Sequence, residues 1–377
     1  MPALRPRRDR RNRRKRTSAG RNLELKRHYR KSKLHTTNQN TSSSLRSRIA
    51  GMPKTELHMH LEGSLEADLM FRLARRNKIE LRWKSEDELR AAYKFSCLQD
   101  FLDVYYAGLT VLLTEQDFFD MTWAYLETMH KENVLHVEVF ISPQAHTRRN
   151  VPFEAMFEGI DGALKQAQTQ WDMTTGLIFG LQRQWSEEDA MAMFDQARPV
   201  ADRIVGIGLG GPELPNPPSK FVHAFERARA EGWKTMAHAG EEGPASYVAD
   251  TVDLLKVDRI DHGVRCADDP ALVARLAKLR IPLTVCPLSN VELKVFPTLK
   301  DHNLKTLLRA GVAVTINSDD PSYFGGYMNE NFSATQEALD LTADDVYTIA
   351  RNGFEAAFLP ADVKARHIAA LDAYWKP

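Results

Sequence analysis

The chain of 377 residues, 43% of them hydrophobic, suits one large α/β domain or two ordinary ones with a sizeable core. No apolar run reaches the roughly 18 residues of a transmembrane helix, and three cysteines (Cys97, Cys266, Cys286) without a CxxC pair exclude a disulfide scaffold, so the expectation is a cytoplasmic protein with no membrane partner. The formal net charge of +1 conceals a division: residues 1–52 hold 17 Lys/Arg against two acids, Asp9 and Glu24, and the remainder 34 against 48.

Residues 1–52, with RPRRDRRNRRKR and TTNQNTSSS, have almost no apolar side chains. They are expected to be disordered, because they cannot bury enough surface to offset the entropy of ordering. Such a segment can be a basic arm for nucleic acid or an anionic membrane, or an Arg-rich transit peptide. The reading preferred is that the protein starts at Met52, where the folded pattern begins abruptly, which draws the domain at 53–377.

The first strand, in TELHMHL (55–61), puts His58 and His60 on one face and Leu57, Met59 and Leu61 on the other. A helical insertion, roughly 64–132, follows; the aromatics of its LQDFLDVYYAGLTVLL are expected to pack between helices, and the insertion can cover a barrel mouth. Seven more β-rich runs come next: VLHVEVFI (134–141), TTGLIFG (174–180), IVGIGLG (204–210), KTMAHAG (234–240), RIDHG (259–263), PLTVC (282–286) and VAVTINS (312–318). Amphipathic helices such as PFEAMFEGIDGALKQAQTQ, SEEDAMAMFDQA, SKFVHAFERARAEG and DPALVARLAKL lie between them. Eight strand–helix alternations predict a (β/α)8 TIM barrel.

Ionisable residues collect at the C-terminal ends of these strands: His58 and His60 on the first, His238 and Glu241 after the fifth, His262 after the sixth, Asp319 and Asp320 after the eighth. Singly they read as surface histidines, a core histidine, a capping acid and a turn. Together they fall where this fold builds its active sites. His58, His60, His238 and Asp319 make an N/O set suited to one zinc or similar divalent ion with room for a water, whose pKa coordination can lower from 15.7 to about 7. Glu241 lies near that ion without needing to bind it and can donate a proton; His262 and Asp319 can hold and deprotonate the water; Asp320 is left for substrate.

From Met52 onward the chain resembles the adenosine/adenine deaminase branch of the amidohydrolase superfamily, through PKTELHMHLEGSL, HAGEEG, RIDHGVR, VCPLSNVELKVF and NSDDPSYFGGY in the family's order. The resemblance implies that His58, His60, His238 and Asp319 bind the metal, that Glu241 protonates purine N1, that His262 orients the attacking hydroxide, that Asp320 contacts N7, and that Gly211 lies near N3. Many adenosine deaminases have HxHLDG, with the Asp helping to bind the ribose 5′-hydroxyl; here Glu62 stands there, and its extra methylene is expected to intrude on the ribose space. That favours adenine, converted to hypoxanthine and ammonia. Adenosine is the alternative, since Gly208 stands where relatives commonly have Asp and GG-type loops occur among adenosine-type sequences. Two-metal amidohydrolases need a strand-4 lysine or carboxylate, which IVGIGLGG does not offer, and cytidine-type zinc deaminases need a PCxxC this chain does not have. A catalytically silent binding relative is opposed by the intact ligand set and Glu241.

Overall fold

The computed structural model describes residues 45–375. Its centre is a parallel sheet of eight strands in sequential order: β1 Lys54–His60, β2 Val134–Ile141, β3 Thr174–Gln182, β4 Gly206–Gly210, β5 Lys234–Ala239, β6 Arg259–His262, β7 Leu283–Val285 and β8 Val314–Ile316. Beyond the end of β8, His60 N–H donates to Asp319 O (2.9 Å) and Asp319 N–H to His58 O (3.0 Å), which brings the last strand back to the first and closes the barrel. The strands are buried along most of their length, as parallel strands covered on both faces must be, and this is why they read as apolar runs rather than alternating ones. The intervening helices begin on the signals in the sequence: Thr114 with Asp117, Ser186 with Asp189 and Thr342 with Asp345 form reciprocal capping boxes. Every predicted strand is present, each bound within two residues of the expected one. No helix of the described residues is long and apolar enough to cross a membrane.

Two features below the mouth hold the frame. Inside the barrel Arg259 of β6 pairs with Glu138 of β2 (2.6 Å) and donates to Leu57 O (3.0 Å), with His136 on the second Glu138 oxygen at 3.0 Å. A buried pair is costly unless its remaining valences are met; these bonds meet most of them, and Arg259 Nε is left without a partner. Between β1 and β2, Asp117 gathers Arg76 (Nε, 3.0 Å) and Asn77 (2.8 Å), stitching the first insertion helix, Ala67–Asn77, to the last, Glu115–Lys131.

The disorder expected of residues 1–52 needs correction at its C-terminal end. Residues 45–51 are helical, Ile49 and Met52 are fully buried, and the compact unit containing the barrel begins at Ile49. The buried Lys54 ammonium donates to the carbonyls of Ile49 (3.0 Å) and Met52 (2.8 Å), and Asn133 Nδ2 donates to Gly51 O (2.6 Å). Averaging the composition over a basic segment hid two apolar anchors. Residues 1–44, and with them the proposals of a basic arm or a later start, lie outside the described residues. A chain beginning at Met52 should therefore be less stable than one beginning at Ile49 by about 2 kcal/mol or more, the cost of emptying a buried Ile site. Equal denaturant midpoints for the two would show that Ile49 anchors nothing.

Candidate active site

All the metal-type residues meet at the C-terminal mouth. His58 Nδ1 lies 3.0 Å from Thr284 O, which can only accept, so the ring proton sits on Nδ1 and the Nε2 lone pair faces inward. His238 Nε2 is 3.1 Å from His58 Nε2 and 3.2 Å from His60 Nε2, and Asp319 Oδ1 is 3.5 Å from each of the two β1 nitrogens. Burial lowers His58 and holds His60 down at about 4, so both rings are neutral, the state a ligand needs. A four-coordinate shell with bonds of about 2.0–2.2 Å sets its ligands about 3.3–3.6 Å apart; these four donors are close to that spacing and fit a metal ion. Asp261 stands 3.4 Å behind His238 Nδ1 and is itself held by Thr284 Oγ1 (2.8 Å), the outer carboxylate that orients a ligating imidazole.

Glu241 and His262 lie beside this cluster, His262 Nε2 at 3.4 Å from Glu241 Oε2 and 3.7 Å from Asp319 Oδ2. His262 (φ 62°) and Asp319 (φ 65°) both adopt the left-handed backbone region that non-glycine residues avoid, the kind of strain that collects at functional sites. Burial, reinforced by the charges of Asp319, Glu213 and Glu242, raises the Glu241 carboxyl well above its ordinary range, which favours the protonated acid. Burial, then Asp319 and Glu62, raise Asp320 in the same direction.

A cavity of about 480 Å³ that opens to solvent lies over these groups. Its floor is His60, His238, Glu241, His262, Asp319 and Asp320; Gln182 and Gly211 form one side, and Leu98, Phe101, Leu102, Tyr105 and Tyr106 of the insertion form the lid with Leu293. The insertion's aromatics therefore do both jobs weighed for them, since Phe101 also packs on Phe324 (4.8 Å) and Tyr323 (5.5 Å). Gly211 comes to the wall with φ 88°, in the left-handed region that residues with a side chain rarely adopt. Gly63 is required for a second close approach: a Cβ there would collide with the Asp320 carboxyl.

Glu62 stands elsewhere than expected. It does not line the cavity; it is fully buried, with Oε1 accepting from Ser142 N (3.0 Å) and His146 Nε2 (3.1 Å). Burial raises its pKa, but the hydrogen bonds from His146 and Ser142 outweigh this and hold it below its ordinary value. Its charge still reaches Tyr105, Tyr106, His60 and Asp320, all on the cavity wall. Among the buried oxygens without a hydrogen-bond partner, Glu241 Oε1 and Asp320 Oδ1 belong to residues that line the cavity, where a ligand can supply the partner.

Several residues of the site escaped the sequence reading. Glu213 accepts from three successive backbone N–H groups, Gly240 (2.9 Å), Glu241 (2.8 Å) and Glu242 (2.9 Å), while Arg183 holds His238 O and Asn216 O and Arg265 Nε holds Glu241 O (3.2 Å). The loop that presents Glu241 is thus clamped on both edges. An acid directly after the fourth strand, in GLGGPE, was the available signal. Ser289 on Asp319 Oδ2 (2.7 Å), and Tyr106 on Gln182 (2.8 Å), act only across elements and left no local trace.

Residues 53–374 match the adenosine deaminase family model. The chain is 56% identical to the adenine deaminase of Cupriavidus taiwanensis over 333 residues, 88% of this chain and 95% of that protein. It is also 56% identical to the adenine deaminase of Ralstonia pickettii over 339 residues, 89% and 98% of the two. Among solved structures it superposes on an adenine deaminase from Arthrobacter aurescens with a TM-score of 0.85 at 44% identity, covering 86% of this chain and all of that one. An amidohydrolase from Burkholderia ambifaria, solved with bound Zn, gives 0.82 at 30% identity, covering 88% and 92%. With strand ends, donor set and match agreeing over almost the whole barrel, the chain belongs to the adenosine deaminase family.

Proposed function

We infer that this protein hydrolytically deaminates adenine, water replacing the 6-amino group to give hypoxanthine and ammonia. The observation that carries the reading is the pair of unpaired buried oxygens, Glu241 Oε1 and Asp320 Oδ1, on the floor of a cavity that also holds His60, His238 and Asp319, with His58 behind them. We assign His58, His60, His238 and Asp319 to one divalent ion, zinc by donor type and by the Zn in the Burkholderia ambifaria relative. When bound, such an ion supplies the nucleophile by bringing the pKa of a water from 15.7 to about 7.

The remaining roles belong to the chain itself. Glu241, protonated and held by the Glu213 clamp, gives its proton to purine N1, so that attack at C6 does not build negative charge on the ring. Asp320 addresses N7 and the Gly211 backbone N3, both residues lining the cavity. The lid residues Phe101, Tyr105 and Tyr106 exclude bulk water, which strengthens every polar contact beneath them. Adenine is preferred to adenosine because relatives at 56% identity are adenine deaminases. Cys97, Cys266 and Cys286 are free thiols, as in a reducing compartment, and the reading places the enzyme in the cytoplasm.

Incubated with adenine, the zinc-loaded protein should release hypoxanthine and ammonia one for one, while His238→Ala should lose most of its metal and, with it, this activity. A wild-type protein that leaves adenine intact would overturn the assignment. Stoichiometric metal in His238→Ala would remove His238 from the ligand set.

A further inference from the structure

Behind His262 runs a chain of hydrogen bonds whose directions are fixed from its far end. Leu304 N–H donates to His302 Nδ1 at 3.1 Å. A backbone amide can only donate, so Nδ1 accepts and the proton of the neutral ring is on Nε2. Burial holds His302 down at about 3, which keeps the ring neutral. His302 Nε2 lies 3.3 Å from Asn290 Oδ1, and a donor there requires the amide oxygen on that side. The amide nitrogen of Asn290 then faces His262 Nδ1 at 3.2 Å. Turning the amide over would set N–H against N–H at His302, with all three residues buried. His262 Nδ1 must therefore accept.

We infer that Asn290 and His302 are positioning residues that hold His262 as its Nε2–H tautomer, so that His262 meets the reacting groups as a hydrogen-bond donor and not as a base. The atoms in front of Nε2 agree: Glu241 Oε2 at 3.4 Å and Asp319 Oδ2 at 3.7 Å are both oxygens. The sequence-level expectation let His262 and Asp319 share two tasks, holding the nucleophile and deprotonating it. With its proton already on Nε2, His262 keeps the first task, and proton acceptance falls to a carboxylate. Ser289, the neighbour of Asn290 in Pro287–Glu292, holds that carboxylate at Asp319 Oδ2, so one short helix sets both partners. The inference rests on the deaminase reading for its consequence, but not for the tautomer.

The test is nitrogen NMR of the zinc-loaded full chain with ¹⁵N-labelled histidine, His262 being assigned by the signals lost in His262→Gln. Wild type should show His262 protonated at Nε2 and bare at Nδ1. Asn290→Asp puts an acceptor where the donor was and should move a proton onto Nδ1; kcat on adenine should then fall about 10-fold or more, as a wrong tautomer demands, with KM within about twofold. His302→Gln, which keeps a donor for Asn290 Oδ1, should retain more activity than His302→Leu. A wild-type His262 carrying its proton on Nδ1 overturns the inference outright, and this needs no variant to fold. An Asn290→Asp protein with moved proton and unchanged kcat overturns the positioning role. Wild type that does not turn over adenine overturns the substrate reading instead, and leaves the spectrum to decide the tautomer.

Discussion

Glu241→Gln should bind metal and purine as the wild type does and lose at least about two orders of magnitude in turnover, within the 10²- to 10⁴-fold usual for a positioned general acid. The substitution is nearly isosteric and its amide can still donate a hydrogen bond, but it has no proton to surrender to N1. Its backbone stays in place, because Glu213 grips Gly240, Glu241 and Glu242 by their N–H groups and not through the side chain being changed. Glu241 is not a member of the His58, His60, His238 and Asp319 donor group, so the metal content should not follow the activity down. Steady-state rates on adenine beside metal analysis of the same preparation separate the two quantities. Near wild-type turnover in a metal-loaded Glu241→Gln protein would show that the proton comes from elsewhere.

Much of this site was legible from period and position. The two-residue spacing of His58 and His60 survives as a shared face of β1, and the ionisable residues placed at strand ends arrive at one mouth because parallel strands in a barrel end together. What stayed hidden depends on contacts between distant segments. Glu213 acts on a loop 27–29 residues away, and Asn290 on His262 28 residues away, through hydrogen bonds that no local pattern encodes. Glu62 shows the limit from the other side. Its place in HMHLEG suggested a side chain filling ligand space, but Ser142 and His146, some 80 residues later, turn its Oε1 away and leave only Oε2 without a partner. Ile49 was lost in the averaged polarity of its segment, although its own burial is complete.

Substrate choice follows the relatives at 56% identity, which are adenine deaminases. A free purine base offers an N–H on its five-membered ring where a nucleoside has a glycosidic bond, and an acceptor that meets this N–H is left unpaired by the nucleoside. A site built around a substrate N–H rejects the analogue without it far more strongly than an apolar pocket rejects an added group. Adenine should therefore exceed adenosine in kcat/KM by at least about 10²-fold, or about 2.7 kcal/mol of transition-state discrimination. The most direct test is a steady-state comparison of adenine and adenosine by ammonia release from the zinc-loaded wild-type protein. A ratio of about 10² or more in favour of adenine is the predicted result; equal efficiency on the two would contradict the free-base reading and make this an adenosine deaminase.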